Sequence, residues 1–142
     1  MHEINKTRNN MNEVFLQFIW ENKLYQSIRN NHTNIDVIET GNRNSDAGPD
    51  FFNAKIKIDD TIWAGNVEIH IKSSDWNKHK HQNDEAYNNV ILQIVSENNA
   101  SVYNSKGEEI LTAEIIFSPK LLQAYDELRK SNKPIPCADN IQ

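Results

Sequence analysis

Three polar side chains alternate along one predicted strand and could form a chemical site. In the run TIWAGNVEIHIK, Glu68, His70 and Lys72 occupy every second position. Alternate residues of a strand project from the same face, roughly 6 to 7 Å apart, so a carboxylate, an imidazole and an ammonium would stand in one row. Such a row can bind a metal ion and transfer protons, although a polar face is also typical of the solvated side of a sheet.

Asp50 supplies a second carboxylate beside this row. It follows the turn-rich loop TGNRNSDAGP and directly precedes the strand-like run FFNAKIKI. Hydrolysis of a phosphodiester requires a divalent cation that activates water, and Mg²⁺ prefers carboxylate oxygens. We therefore predict that Asp50 and Glu68 bind Mg²⁺ or Mn²⁺. We expect His70 or Lys72 to orient the water or to stabilise charge on the phosphate. The same loop end is also typical of a plain turn.

A basic segment, KSSDWNKHKH, begins at Lys72, the last residue of the polar row. We predict that Lys78, His79 and His81 within it contact the substrate. The net charge of −5 argues against nucleic-acid binding through overall electrostatics but leaves room for such a local basic strip. A His-x-His pair also binds zinc when a third ligand is near, so a zinc hydrolase that uses His70 is a less favoured alternative. A solvated loop is the third interpretation.

Helical periodicity marks both ends of the chain. Apolar residues recur at helical spacing from about residue 12 to 29, with Asn12 as the N-cap, and predict the first helix. Ser118 as N-cap and Pro119 at the first helical position predict a last helix that ends near residue 130. We therefore expect one helix before and one after the predicted strands.

The segments between these helices are typical of strands and turns. The turn Asp59-Asp60 joins two alternating runs into a β-hairpin, and the nearly continuous apolar run 89–95 predicts a central strand. A polar segment with a short helix around 84–87 precedes that central strand. Trp63 and Trp76 flank the predicted site, and we expect each to be a core residue or a hydrophobic plug in preference to a platform for base stacking. The predicted strands cover residues 35–39, 51–58, 61–72, 89–95, about 100–104 and 109–117.

Size and composition fit one α+β domain over residues 1–142. We expect residues 1–11 to be disordered and residues 132–142 to be linker-like. The single cysteine, Cys137, excludes an intramolecular disulfide. The sequence contains no signal peptide pattern and no apolar stretch of the roughly 20 residues needed to span a bilayer, so we expect a cytoplasmic protein that does not enter membranes.

The spacing of Pro49-Asp50 and Glu68-Ile69-His70 resembles the PD-(D/E)xK phosphodiesterase motif. That resemblance implies a restriction-endonuclease-like core, a mixed central sheet flanked by helices, with the two acidic groups on adjacent strands after an opening helix. It also implies a metal-dependent nuclease. The chain has His70 where the motif has lysine. Lys72 could take the place of that lysine, and His70 could instead be a metal ligand or a base.

The stretch DAGPDFFNAKIKI and the longer stretch WAGNVEIHIKSSDWNKHKHQNDEAYNNVILQIV resemble a bacterial family of unknown function, DUF2851. The resemblance covers nearly the whole chain, and because family members are longer, it implies that the chain is the amino-terminal part of a longer protein. The family supplies no established activity. A nuclease, a non-catalytic scaffold that binds nucleic acid or a protein, and a zinc hydrolase therefore remain the competing functions. The choice between DNA and RNA and the oligomeric state stay open.

Overall fold

The computed structural model describes residues 11–130 of the chain. The predictions made for residues 1–10 and 132–142 lie outside that range. Within it the protein is a mixed α+β structure with one seven-stranded sheet. None of the helices in the described part combines the length and the apolar character that a bilayer crossing requires.

The first helix, α1, spans Glu13–Glu21 and is capped as predicted, because the Phe15 N–H donates to Asn12 Oδ1 at 2.9 Å. The predicted extension to residue 29 is wrong. Lys23 adopts a left-handed conformation with φ 54°, and the Leu24 N–H donates to the Ile19 carbonyl at 3.0 Å. This is the Schellman termination that glycine usually provides, so the helix ends without the usual sequence signal.

The sheet contains parallel and antiparallel neighbours. Its strands are β1 (Ser27–Arg29), β2 (Ile35–Glu39), β3 (Asn42–Arg43), β4 (Phe51–Ile58), β5 (Thr61–Lys72), β6 (Val90–Glu97) and β7 (Thr112–Ile116). Across the sheet the order is β1-β7-β6-β5-β4-β2, and β3 pairs with the start of β4. The hairpin and the central position of residues 89–95 are confirmed, because β4 pairs with β5 antiparallel and β6 lies between β5 and β7 in parallel.

Two strand predictions need correction. Residues 100–104 do not form a strand; Tyr103 makes only an isolated bridge with Glu109. The predicted strand 109–117 is shorter, because regular pairing with β6 begins at Thr112. The turn Ser105–Glu108 is closed by the Asn104 side chain, which accepts from the Lys106 N–H at 2.9 Å, and this local bonding replaces a longer ladder.

The connection between β5 and β6 is more ordered than the sequence indicates. It contains a short helix α2 (Asp75–Lys78) and two 3₁₀ turns, His81–Asn83 and Glu85–Tyr87. The second turn lies where the sequence predicted a short helix, and Asp84 caps it by accepting from the Ala86 N–H at 2.9 Å. The last helix, α3 (Pro119–Lys130), begins at the predicted residue.

Apolar side chains fill both faces of the sheet. The larger cluster contains residues of α1, α3 and the strands, among them Phe15, Phe51, Ile69 and Ile94. The smaller cluster contains Trp76, Tyr87, Val90, Val102 and Ile110. Trp76 is fully buried, as predicted for both tryptophans, but Trp63 is 51% exposed because β5 extends beyond the first residue of β6.

A β-bulge in β4 determines which face of the sheet the Asp50 side chain lies on. Ala54 and Ile56 point into the larger core, so unbroken alternation would place residues 52 and 50 on that face as well. Between Phe51 and Ala54 the register with β5 shifts, and Asn53 has φ 60°. Phe51 therefore enters the core and Asp50 turns toward the face that carries Glu68.

Gly41 packs against this bulge, and we expect Gly41→Ala to be more destabilising than Gly107→Ala. Both glycines have positive φ, but a Cβ at Gly41 would lie 2.7 Å from the Phe52 carbonyl oxygen, whereas one at Gly107 would contact nothing within 4 Å. Both variants share the backbone strain. The clash should lower the free energy of unfolding by about 1–3 kcal/mol more at Gly41. If urea denaturation shows the same loss in the free energy of unfolding for both variants, the contact of Gly41 with the bulge does not contribute to stability.

Candidate metal centre

Two imidazole rings converge on one carboxylate oxygen on the second face of the sheet. Glu68 Oε2 lies 3.2 Å from His70 Nε2 and 2.8 Å from His81 Nε2. All three side chains are buried. Glu68 and His70 alternate on β5 as predicted, while the 3₁₀ turn after α2 brings His81 back over the strand.

A hydrogen-bond chain fixes which nitrogen of His70 carries its proton. The Thr112 hydroxyl donates to the Ile110 carbonyl at 3.3 Å, so it accepts from the Gln93 amide group at 3.0 Å. Gln93 Oε1 must then face His70 Nδ1, 2.7 Å away, and can only accept. His70 Nδ1 is therefore the protonated nitrogen, and in the neutral ring Nε2 keeps a lone pair that faces Glu68.

The contacts with Glu68 have the spacing of metal ligands. Among the described residues, His70 Nε2 and both ring nitrogens of His81 are buried without a hydrogen bond, although the two Nε2 atoms lie close to Oε2. Ligand atoms around a tetrahedral zinc ion lie roughly 3.3 Å from one another. A cation between the two Nε2 atoms and Glu68 Oε2 would satisfy these three atoms, and the donor set therefore fits a metal ion.

His79 can complete this donor set. We call His70, His79 and His81 the histidine cluster; one ring nitrogen from each lies within 4.8 Å of the others. His79 is exposed at the end of α2, so this side of the cluster is open to solvent and substrate. A centre with one open side is typical of catalytic rather than structural metal sites.

Aromatic packing holds His81 in place. The Tyr87 ring stacks on its imidazole at 3.7 Å between centroids, and Trp76 contacts it edge-on at 5.3 Å. Trp76 is itself anchored by a 2.8 Å hydrogen bond from Nε1 to the Tyr103 carbonyl. Lys80, with φ 61°, supplies the left-handed step that turns the chain before His81. The ring is thus positioned before any ligand arrives.

Asp50 lies against Glu68, as the predicted pair of carboxylates requires. Its N–H donates to Glu68 Oε1 at 3.1 Å, and its Oδ2 accepts from the Ile69 N–H at 2.8 Å. Burial and the neighbouring negative charge of Glu68 raise the pKa of Asp50 to about 8. Asp50 can therefore hold a proton near neutral pH.

The contact between Glu68 and His70 shifts the pKa of both groups. Burial alone would raise the pKa of Glu68, but its contacts with His70 and His81 lower it. Burial would lower the pKa of His70, but contact with the Glu68 carboxylate raises it above its ordinary value. Without a metal, His70 and Glu68 form a proton-stabilised pair, so a metal ion must compete with that proton.

Glu13 and Gln17 belong to this site and were missed in the sequence. Gln17 Nε2 donates to Asp50 Oδ1 at 3.2 Å. Burial raises the pKa of Glu13, which also feels the charges of His70 and His79. The available signal was the recurrence of polar residues at every fourth position, Glu13, Gln17 and Glu21, on a helix that is otherwise apolar, EVFLQFIWE.

The structure brings Asp50, Glu68 and the histidine cluster together but leaves two predicted lysines outside. Lys72 is exposed at the end of β5, where its N–H donates to Asp75 Oδ2, and Lys78 is exposed in α2. Neither forms an ion pair within residues 11–130. Their assignment to catalysis and substrate contact stays a prediction.

Thr112→Val tests the hydrogen-bond chain. Valine has nearly the same shape but leaves the Gln93 amide and the Ile110 carbonyl without their partner. We expect the free energy of unfolding to fall by about 1–3 kcal/mol. Thr61→Val at the exposed start of β5 is the matched control and should change it by less than about 0.5 kcal/mol. If the two substitutions lower the free energy of unfolding equally in urea denaturation, the hydrogen-bond chain through Gln93 and Thr112 is contradicted.

Comparison with known proteins establishes the family of the chain. No curated protein and no solved structure gives a significant match. One family model, described as a protein of unknown function (DUF2851), matches residues 13–142, which include every residue of the candidate metal centre. The chain therefore belongs to the DUF2851 family.

Proposed function

We propose that the chain is a metal-dependent phosphodiesterase that acts on nucleic acid. The observation that carries the proposal is the convergence of His70 Nε2 and His81 Nε2 on the buried Glu68 Oε2, at 3.2 and 2.8 Å. Polar atoms buried this close together need a proton or a cation between them, and a cation can bind all three at once. His79 stands at the open side as a further ligand.

The donor set favours a transition metal over Mg²⁺. Imidazole nitrogens suit Zn²⁺ and other borderline cations, whereas Mg²⁺ is bound chiefly through oxygen. The sequence alone favoured Mg²⁺ or Mn²⁺ on Asp50 and Glu68. The histidine cluster instead supports Zn²⁺ or Mn²⁺ held by Glu68, His70 and His81, with Asp50 beside the metal. Such a cation, when bound, lowers the pKa of its water and polarises a phosphoryl oxygen.

Asp50 is the proton-transfer group in this proposal. Its carboxyl contacts Glu68 and receives hydrogen bonds from Ile69 and Gln17, and in the absence of a metal its pKa is raised to about 8. A carboxyl held beside the reacting atoms can take a proton from an attacking water or give one to a leaving oxygen. Gln17 is itself held by Arg43, whose NH1 donates to its Oε1 at 2.9 Å, so the orientation of the carboxyl is fixed from α1 and β3.

The arrangement of the carboxylates supports the proposed substrate class. Asp50 directly precedes β4 and Glu68 lies on β5, and these two strands form a hairpin that follows an opening helix. That placement supports the resemblance to the PD-(D/E)xK motif, and with it a restriction-endonuclease-like core and a phosphodiester substrate.

A non-catalytic scaffold is the second candidate. It is favoured by the position of Lys72, which is exposed and forms none of the described ion pairs, so the lysine of the motif has no counterpart beside Asp50. A protein that binds the metal but hydrolyses neither DNA nor RNA would fit this alternative.

Calorimetric titration with Zn²⁺, Mn²⁺ and Mg²⁺ tests the metal centre. We expect Zn²⁺ or Mn²⁺ to bind the wild-type protein more tightly than Mg²⁺. Glu68→Gln and His81→Ala should weaken binding by more than about 100-fold, because even outer-shell partners of a metal are worth about 10–100-fold. His32→Ala removes an exposed histidine far from the cluster in sequence and should leave the affinity unchanged. Equal affinities in all four proteins would reject the centre.

Asp50→Asn separates metal binding from chemistry. The amide keeps the shape of the carboxyl but cannot exchange a proton, so hydrolysis of labelled DNA or RNA should slow by about 10²–10⁴-fold. Zn²⁺ or Mn²⁺ should still bind. Asp46→Asn, in the exposed part of the same loop, is the matched control and should retain full activity. Undiminished hydrolysis by Asp50→Asn would remove Asp50 from the mechanism.

A further inference from the structure

A groove of about 580 Å³ opens on β5 beside the candidate metal centre. It exists because β6 begins at Val90, opposite Asn66, so residues 61–65 of β5 extend past the sheet and pair only with β4. Asn66 precedes Glu68 by two positions on the same strand, which places the groove roughly 6 to 7 Å from the metal centre. We call it the Asn groove, after Asn53, Asn66, Asn88 and Asn89 in its wall.

Two amides in the Asn groove present free donors, because their oxygens already accept hydrogen bonds from the protein. Asn66 Oδ1 accepts from the Asn53 N–H at 3.3 Å, and Asn88 Oδ1 accepts from the Ser105 N–H and hydroxyl at 3.1 and 2.9 Å. Backbone N–H groups fix these oxygens unambiguously, so the NH₂ groups of Asn66 and Asn88 remain available. No acidic residue lines the groove. It is therefore suited to a ligand rich in acceptors.

Aromatic surface lies open in the same wall. Trp63 is 51% exposed and Phe52 is 36% exposed, whereas Trp20 and Trp76 are fully buried. An exposed indole offers a flat surface on which any base can stack, provided that the base is not already stacked in a duplex.

Two lysines flank the groove on the face of the metal centre. Lys55 pairs with Ala64 and Lys57 with Ile62, while Ile56 between them points into the opposite core. Trp63 pairs with Ile56, so its indole lies across the free edge of β5 from the two lysines. Both lysines are exposed and form no ion pair within residues 11–130. A second groove that Trp63 also lines contains Asp59, Glu108 and Glu109, so a polyanion would be repelled there and attracted to the Asn groove.

We infer that the Asn groove binds single-stranded nucleic acid, with a base stacked on Trp63 at the free edge of β5 and the backbone crossing that edge to Lys55 and Lys57 on the face of the metal centre. Donor amides, an open indole and unpaired lysines are the three features that recognise an unstacked polynucleotide. The inference rests on the proposed function for its biological meaning, but it concerns binding that needs neither metal nor hydrolysis.

The test is fluorescence anisotropy of a labelled oligo-dT in the presence of a chelator and at low salt. Wild-type protein should bind it more tightly than a duplex of the same length. Trp63→Ala should weaken binding by about 5- to 100-fold, and Trp63→Phe should restore part of the loss. Tyr103→Ala, which removes another aromatic of similar exposure, 45%, should have no effect.

Salt titration tests the lysines separately. The double substitution Lys55→Gln and Lys57→Gln should reduce the slope of log K against log salt by about 1.4, or about 0.7 for each phosphate that the variant no longer neutralises. Lys106→Gln with Lys120→Gln changes the net charge equally, at exposed positions outside the groove, and should leave the slope unchanged.

The outcomes separate this inference from the proposed function. Failure of wild-type protein to bind oligo-dT, or binding that is insensitive to Trp63→Ala, overturns the inference. Self-association that Trp63→Ala abolishes, in a protein that does not bind oligo-dT, would assign the surface to a second copy instead and also overturns it. Binding that persists when no metal produces hydrolysis upholds the groove and rejects only the phosphodiesterase.

Discussion

A carboxylate buried in the middle of a sheet must be neutralised, and the arrangement around Glu68 follows from this constraint. Its side chain is only 5% exposed, and three polar neighbours, Asp50, His70 and His81, arrive from different elements to contact it. An unpaired charge at this depth would prevent folding. The protein therefore needs either protons or a metal ion at this point, and the lone-pair geometry of the two imidazoles suits the metal.

Sequence patterns predicted the parts of this arrangement that depend on local repetition. Alternation identified the hairpin and the shared face of Glu68 and His70, and the continuous apolar run identified β6. The same patterns missed β1, a strand of three residues that is defined only by pairing with β7. They also missed the end of α1, because Lys23 takes the conformation expected of glycine.

Residues of the site were missed for a different reason. Gln93 is a single polar residue in the run VILQIV, which still predicts a buried strand. Its amide nevertheless determines the tautomer of His70. The contribution of Asp50 could be predicted, but not the bulge at Asn53 that turns it to the correct face. Both effects arise from contacts across the sheet, which no periodicity in a single strand records.

The placement of the candidate metal ligands links the stability of the β5–β6 connection to metal binding. Glu68 and His70 stand on β5, while His79 and His81 lie within the connection that leads to the parallel strand β6. A cation bound by residues of both elements would cross-link the connection to β5. Because a ligand that binds only the native state shifts the opening equilibrium, a cation bound as proposed would couple local unfolding of the connection to occupancy of the centre. The segment that opens the centre to solvent would then be ordered by the cation that the centre binds.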